Sequence, residues 1–327
     1  MLRPRANSIS ERAKRRNLIV PIYTLFARRT EIEIRTMNRR HFCHLAMAGT
    51  ALSLASRGLF AAPPAALPKF SYMIWAFPKP MTIDQRLETV AKAGYTGAEL
   101  VTEWMAWSPE ERRRVAALAK SLGITIDLMF PGQVPLADLA SRDIIREQLA
   151  KAIPVARELG CPQLGYASGP RIPGQSPEQQ IANITENLKV AAEIMEKEKM
   201  ELLLEPIDLL ENKRAAVNSV TEAFTITRAV GSPSIKVLYD FYHEQRGAGN
   251  LIEKLENNFD QIGLIHVADV PGRHRPGTGE MNYNNIYRRL AALGYNRYIA
   301  MEFYAQGDPV AELKTAKEEV LKAFQQA

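Results

Sequence analysis

Cysteine is nearly absent: Cys43 and Cys161 are the only two in 327 residues, and no C-x-x-C pair occurs. A disulfide framework, a cysteine-based zinc site and paired-thiol redox chemistry are thereby excluded. The first apolar run of the main body is followed by Trp75-Ala76-Phe77-Pro78, not by the Gly-rich phosphate turn that a dinucleotide-binding, doubly wound sheet usually displays. The mostly apolar stretch from Leu45 to Ala55 is interrupted at Gly49 and stopped by Arg57, short of the roughly 20 residues that a spanning helix needs. No stable membrane span is therefore expected in the mature protein. Basic charge is missing where nucleic acid would need it. Residues 1–60 hold 12 of the 42 Lys and Arg and 3 of the 36 Asp and Glu, so the net +6 belongs to them and the rest of the chain is slightly acidic. No nucleic-acid partner is expected.

With 46% hydrophobic and 24% charged residues, the chain has the material for a substantial folded core. From Met37, Asn38-Arg39-Arg40-His41-Phe42 leads into the apolar stretch and then into Leu59-Phe60-Ala61-Ala62-Pro63-Pro64-Ala65-Ala66. Residues 37–66 thus resemble a twin-arginine export signal with an Ala/Pro spacer, which implies a periplasmic or exported protein whose mature chain starts between about Ala61 and Leu67. A basic cytosolic extension is the alternative. Residues 1–36 precede the signal awkwardly. They read as a disordered upstream extension, or as a gene-model artefact if Met37 is the initiator.

Over residues 67–327 short apolar runs alternate with longer amphipathic stretches. The spacing predicts strands at Phe70 to Trp75, Gly97 to Leu100, Ile124 to Phe130, Gln163 to Tyr166, Glu201 to Glu205, Ile235 to Asp240, Ile262 to Val267 and Tyr298 to Glu302. Apolar positions three and four apart predict helices near 82–94, 109–122, 140–159, 177–199, 219–230, 248–258, 283–293 and 311–325. Glycines close several of these helices, and Ser108-Pro109 and Ser176-Pro177 read as Ser caps with Pro in the first helical position. Eight strands and eight helices in strict alternation over about 260 residues match a single (β/α)8 TIM barrel. A doubly wound sheet is the second choice.

Barrel enzymes carry their chemistry at the C-terminal ends of the strands. Four successive strands end in ligand-type residues, Glu205, Asp240, His266 and Glu302, spaced by about one βα unit each. A lone carboxylate at a strand end is most often a helix N-cap or half of an ion pair. Four in register are different, because three converging carboxylates would repel one another and take up protons unless a cation joined them. Three carboxylates and an imidazole make a hard site, suited to one divalent metal ion: Mn2+ or Mg2+ first, Co2+ or Zn2+ after them. Histidine points the same way, since beyond the leader only His243, His266 and His274 occur, all in this region. Nearby, the Gly/Pro-rich loop Asp269 to Glu280 carries Arg273, His274, Arg275 and Glu280. His243, Arg273, His274 and Glu280 are the candidate substrate-binding residues. The plainer reading of such a loop is a solvated surface with incidental charge.

Leu204-Glu205-Pro206-Ile207, Tyr239-Asp240-Phe241-Tyr242-His243, Asp269-Val270-Pro271-Gly272-Arg273-His274, Pro276-Gly277-Thr278-Gly279-Glu280 and Glu302-Phe303 resemble the hydroxypyruvate isomerase branch of the xylose isomerase-like barrels, which also include ketose 3-epimerases. The resemblance spans most of residues 70–327. It implies that Glu205, Asp240, His266 and Glu302 hold one divalent metal and that Glu205 and Glu302 also move protons. Three positions depart from the isomerase pattern: His266 stands where Gln is usual and where 3-epimerases carry His, Asp208 replaces Asn, and Phe303-Tyr304 lacks a Lys. The segment Gly132 to Ala140 is also short.

The expected activity is a metal-dependent aldose–ketose isomerase, acting on a small hydroxy-keto acid or sugar by proton transfer through an enediolate. A ketose or keto-sugar 3-epimerase is the alternative, and an exported sugar-binding barrel without turnover is the alternative of another class. A DNA-repair endonuclease would need a His-rich multi-zinc cluster and a phosphate-binding face, which three His and an acidic body do not supply. The sequence fixes neither the substrate nor the oligomer, and a homo-oligomer stays open.

Overall fold

The computed structural model describes residues 67–327; the leader readings on residues 1–66 lie outside the described residues. Eight parallel strands close into one barrel in chain order: β1 (Lys69–Met73), β2 (Gly97–Leu100), β3 (Thr125–Met129), β4 (Gln163–Ala167), β5 (Glu201–Glu205), β6 (Ile235–Asp240), β7 (Ile262–Val267) and β8 (Tyr298–Met301). The (β/α)8 expectation holds. Around them run α1 (Ile83–Lys92), α2 (Pro109–Ser121), α3 (Arg142–Leu159), α4 (Pro177–Glu198), α5 (Val220–Val230), α6 (Phe241–Gly247), α7 (Leu251–Asn257), α8 (Tyr283–Ala292) and α9 (Pro309–Gln325).

Local chemistry explains the helix limits. Ser108 and Ser176 accept from the backbone N–H of Glu111 and Gln179, with Pro109 and Pro177 in the first helical position, caps worth about 1 kcal/mol each. Helix α3 stops at Gly160, whose φ of 72° is the left-handed stop that glycine adopts without strain. Helix α6 is absent from the sequence reading, which leaves Phe241 to His243 in a loop. It starts directly on the strand end because the Asp240 side chain accepts from Tyr242 N–H.

Strand alternation positions the site. On β5, β6 and β7, Leu203, Leu238 and Leu264 point into the barrel and pack with Met73, Leu128 and Phe130. Two residues further along the same strands stand Glu205, Asp240 and His266, so period-2 geometry stacks the polar set on the mouth side of an apolar floor. Truncating one of those leucines would cost about 2–5 kcal/mol. Two bulges adjust the aim. Ala98 pairs with Ile126 but Glu99 with Leu128, which leaves Asp127 as the extra residue of β3, and Gly263 plays the same part on β7.

Candidate active site

Glu205, Asp240, His266 and Glu302 converge, one ligand-type atom from each lying within 4.8 Å of the others. All four are buried. His266 Nδ1 lies 2.7 Å from Glu302 Oε2 and 3.8 Å from Glu205 Oε1. Asp240 serves two readings at once: Oδ1 caps α6, and Oδ2 faces the cluster. Among the described residues no other group of three or more His, Cys, Asp or Glu is so placed.

The charges are unbalanced in an informative way. Burial above all pushes the Glu205 carboxyl up to about 7; His266 and His243 pull it down, while Glu302 and Asp240 push it further up. Burial acts on Glu302 in the same sense, yet Arg273 and His266 outweigh it and hold that carboxyl far below the ordinary range. The two Glu are thus driven apart, one toward holding a proton and one toward giving up its own, a pattern typical of acid/base pairs. Burial would lower the His266 imidazole, but Glu99 and Glu302 raise it well above its ordinary value. A divalent cation among the four would do for the carboxylates what these protons do. The donor set, hard oxygens plus one imidazole, fits such an ion.

Arg273 and His243 form the wall beside the cluster. Arg273 Nη2 reaches Asp240 Oδ2 at 3.0 Å and Glu302 Oε2 at 2.5 Å, and Nε donates to the Glu302 carbonyl at 3.1 Å. The guanidinium stacks over Tyr242, 4.7 Å from the ring centroid. His243 Nδ1 meets Asp208 Oδ2 at 2.7 Å, which leaves Nε2 3.5 Å from Asp240 Oδ2 and facing the site. Burial lowers the His243 imidazole, but Asp240 and the Asp208 hydrogen bond raise it overall. Burial raises the Asp208 carboxyl, and the His243 bond, the Glu211 N–H and Arg246 bring it below its usual value.

Above the cluster opens a cavity of about 360 Å³, lined by Trp75, Phe130, Val134, Ile207 and Arg214 together with Glu205, Glu302, His243 and Arg273. This is the size range of small-molecule sites. Gln133 and Val134, in the short segment after β3, form part of its rim. Of the four candidate substrate-binding residues, His243 and Arg273 line the cavity, and His274 and Glu280 lie outside it. Arg273 has a left-handed φ of 57°, and the turn sends its side chain inward and that of the next residue outward, where His274 Nδ1 meets Gln306 Nε2 at 3.0 Å. The backbone N–H of Glu280 is tied to the Val270 carbonyl, and its exposed carboxylate takes a long contact from Gln245. The loop is knitted from inside by Asp269, which accepts from Val270, Gly277 and Met281 N–H.

Sequence reasoning missed Trp75, whose indole N–H donates to Glu302 Oε1 at 3.0 Å, although its place just past the first strand was a usable signal. It also missed the work of Asp208, noted only as a departure, and of Glu99.

A model described as xylose isomerase-like TIM barrel matches residues 87–324. The chain belongs to this family. Hydroxypyruvate isomerase of Escherichia coli (strain K12) is 31% identical over 234 residues, 70% of this chain and 90% of that protein. 2-Oxo-tetronate isomerase of Pectobacterium atrosepticum is 25% identical over 245 residues, covering 74% and 94%. Among solved structures, D-psicose 3-epimerase of Clostridium cellulolyticum H10 superposes with a TM-score of 0.66 at 18% identity, covering 78% of this chain and 99% of that one. The IOLI protein, described with a bound zinc atom, gives 0.68 at 17%, covering 79% and 98%. These two structures share the fold, and the curated relatives are isomerases. The chain is an isomerase of this family.

Proposed function

We propose that the protein is a divalent-metal-dependent isomerase of a small α-hydroxy carbonyl compound, a hydroxy-keto acid or keto-sugar, working by proton transfer through an enediolate. The observation that carries this reading is the convergence of Glu205 and Glu302 with Asp240 and His266, with a cavity opening above them. When bound, a divalent cation supplies Lewis-acid polarisation of adjacent carbonyl and hydroxyl oxygens, which acidifies the C–H between them.

This chain's own groups supply the rest. Glu302, ionised beside Arg273 and His266, takes the proton from the hydroxyl-bearing carbon. Glu205, across the cluster from Glu302, delivers a proton to the former carbonyl carbon while the hydroxyl proton passes to the former carbonyl oxygen, so that one C–H and one O–H bond break and one of each forms. Arg273 and the cavity-facing edge of His243 hold the oxygens on which charge develops, and Trp75 covers Glu302 and fixes its second oxygen. An epimerase of ketoses uses the same two carboxylates and returns the proton to the same carbon from the opposite face. His266, in place of the usual isomerase Gln, favours that second reading.

The test is incubation of Mn2+-loaded protein with hydroxypyruvate, a 2-keto-tetronate and a panel of ketoses in D2O, followed by NMR. Deuterium at carbon supports the reading, and product identity separates isomerase from epimerase. No exchange on any member would overturn it. We propose further that the protein is exported through its twin-arginine leader, on the strength of Arg39-Arg40 and the apolar stretch behind them.

A further inference from the structure

Beneath the mouth, on the side of the barrel opposite β5, the interior is polar. Ser71 of β1, Glu99 of β2, Asp127 of β3 and His266 of β7 are all completely buried. Space for them comes from Gly97, where a Cβ would stand 2.6 Å from Asp127 Oδ1, Ser71 Cβ and Tyr298 Cε1. The catalytic chemistry above uses none of the first three.

Their arrangement is directional. Glu205 and Glu302 approach His266 from the Nδ1 side, whereas Glu99 Oε2 stands 2.9 Å from Nε2. That approach lies off the N–H axis, since neither atom makes an aligned hydrogen bond. Glu99 Oε1 is held in turn by the Ser71 hydroxyl at 3.3 Å. Burial first and Glu99 second push the Asp127 carboxyl well above the ordinary range. A neutral imidazole offers a lone pair on one nitrogen only, and the partner of the other nitrogen decides which.

We propose that Glu99 is a positioning residue: it takes the Nε2–H of His266, fixing the ring and committing Nδ1 to the cation. This rests on the reading that the cluster holds a divalent ion. It also accounts for a histidine where isomerases of this branch carry Gln: an imidazole has a far nitrogen that must be satisfied inside the barrel, and Glu99 is there to satisfy it.

Glu99→Leu and Glu99→Gln would be compared with wild type for Mn2+ affinity, for the visible spectrum of the Co2+-loaded protein, and for His266 tautomer by two-bond 15N–1H correlation of the Zn2+-loaded protein. Carboxylate partners of ligating histidines are worth about 10- to 100-fold in metal affinity, so Glu99→Leu is expected to lose that much and to change the Co2+ spectrum. Glu99→Gln, whose carbonyl still accepts the N–H, is expected to recover most of the loss, and wild type to carry its proton on Nε2. Unchanged Mn2+ affinity in both variants, or a proton on Nδ1, would overturn the proposal. If Glu99→Leu fails to fold, Glu99→Ala takes its place in the affinity and Co2+ measurements, and the wild-type tautomer decides independently. Failure of wild type to bind any of the three ions would instead sink the metal reading itself.

Discussion

Replacing Glu302 by Gln isolates the proton-transfer step, and the structure gives the size of the effect. Glu302 Oε1 accepts from the Trp75 indole N–H, while Oε2 faces His266 Nδ1 and Arg273 Nη2. Donors thus meet both oxygens, and either orientation of a Gln amide sets its NH2 against an N–H. The milder orientation faces Trp75 and strands its part-buried indole N–H, at a cost of about 1–3 kcal/mol. At about 2–4 °C per kcal/mol for a domain near this size, the variant should melt lower by several degrees and remain folded at 25 °C. The amide keeps an oxygen for a metal but accepts no proton. General acid–base catalysis contributes about 10²- to 10⁴-fold, so turnover should fall by that factor, roughly 2.7–5.5 kcal/mol in the barrier. Deuterium incorporation in D2O, followed by NMR on variants whose folding is checked by circular dichroism, reads this directly. Exchange within about threefold of wild type in folded Glu302→Gln would refute the assignment of Glu302 as base. Glu205→Gln should match the loss, because a two-carboxylate reaction fails when either proton carrier is removed.

His243→Ala should raise KM as well as lower kcat, as expected of a group that holds substrate oxygens, and steady-state kinetics check it. Asp208→Asn tests the buried pair through pH: the depressed Asp208 carboxyl contributes stability lost as pH falls below about 3.8, and the raised His243 imidazole contributes stability lost as pH rises from about 6.5. Urea denaturation should therefore show the largest deficit of Asp208→Asn near pH 5 and a smaller one on either side. Mn2+ at 100 times its Kd should stabilise chelator-treated protein by about 2.7 kcal/mol. Asp240→Asn should abolish that gain while still capping α6, since Asn caps as well as Asp, and thermal melts with and without metal decide. Mass spectrometry of exported protein should find a mature chain starting between about Ala61 and Leu67, and an intact chain from Met1 would contradict export through the leader.

Sequence by itself determined the barrel and four of its mouth residues, because both follow from local periodicity. Alternation within a strand and spacing within a helix are properties of adjacent residues, so the eight βα units and the strand-end positions of Glu205, Asp240, His266 and Glu302 could be read without knowing what they touch. Only the tertiary structure decided their partners. Closing β8 onto β1 brings Trp75 to Glu302 across 227 residues of chain, and no local pattern encodes that contact. The bulges that leave Asp127 and Gly263 without a partner across the sheet shift register by one residue and are equally silent in the sequence. Arg273 and His274 are neighbours of similar chemistry, yet one left-handed turn sends the first into the site and the second out to Gln306. Glu99 reads as an ordinary strand carboxylate until closure sets it behind His266, because which interior side chains meet depends on barrel stagger, a property of all eight strands together.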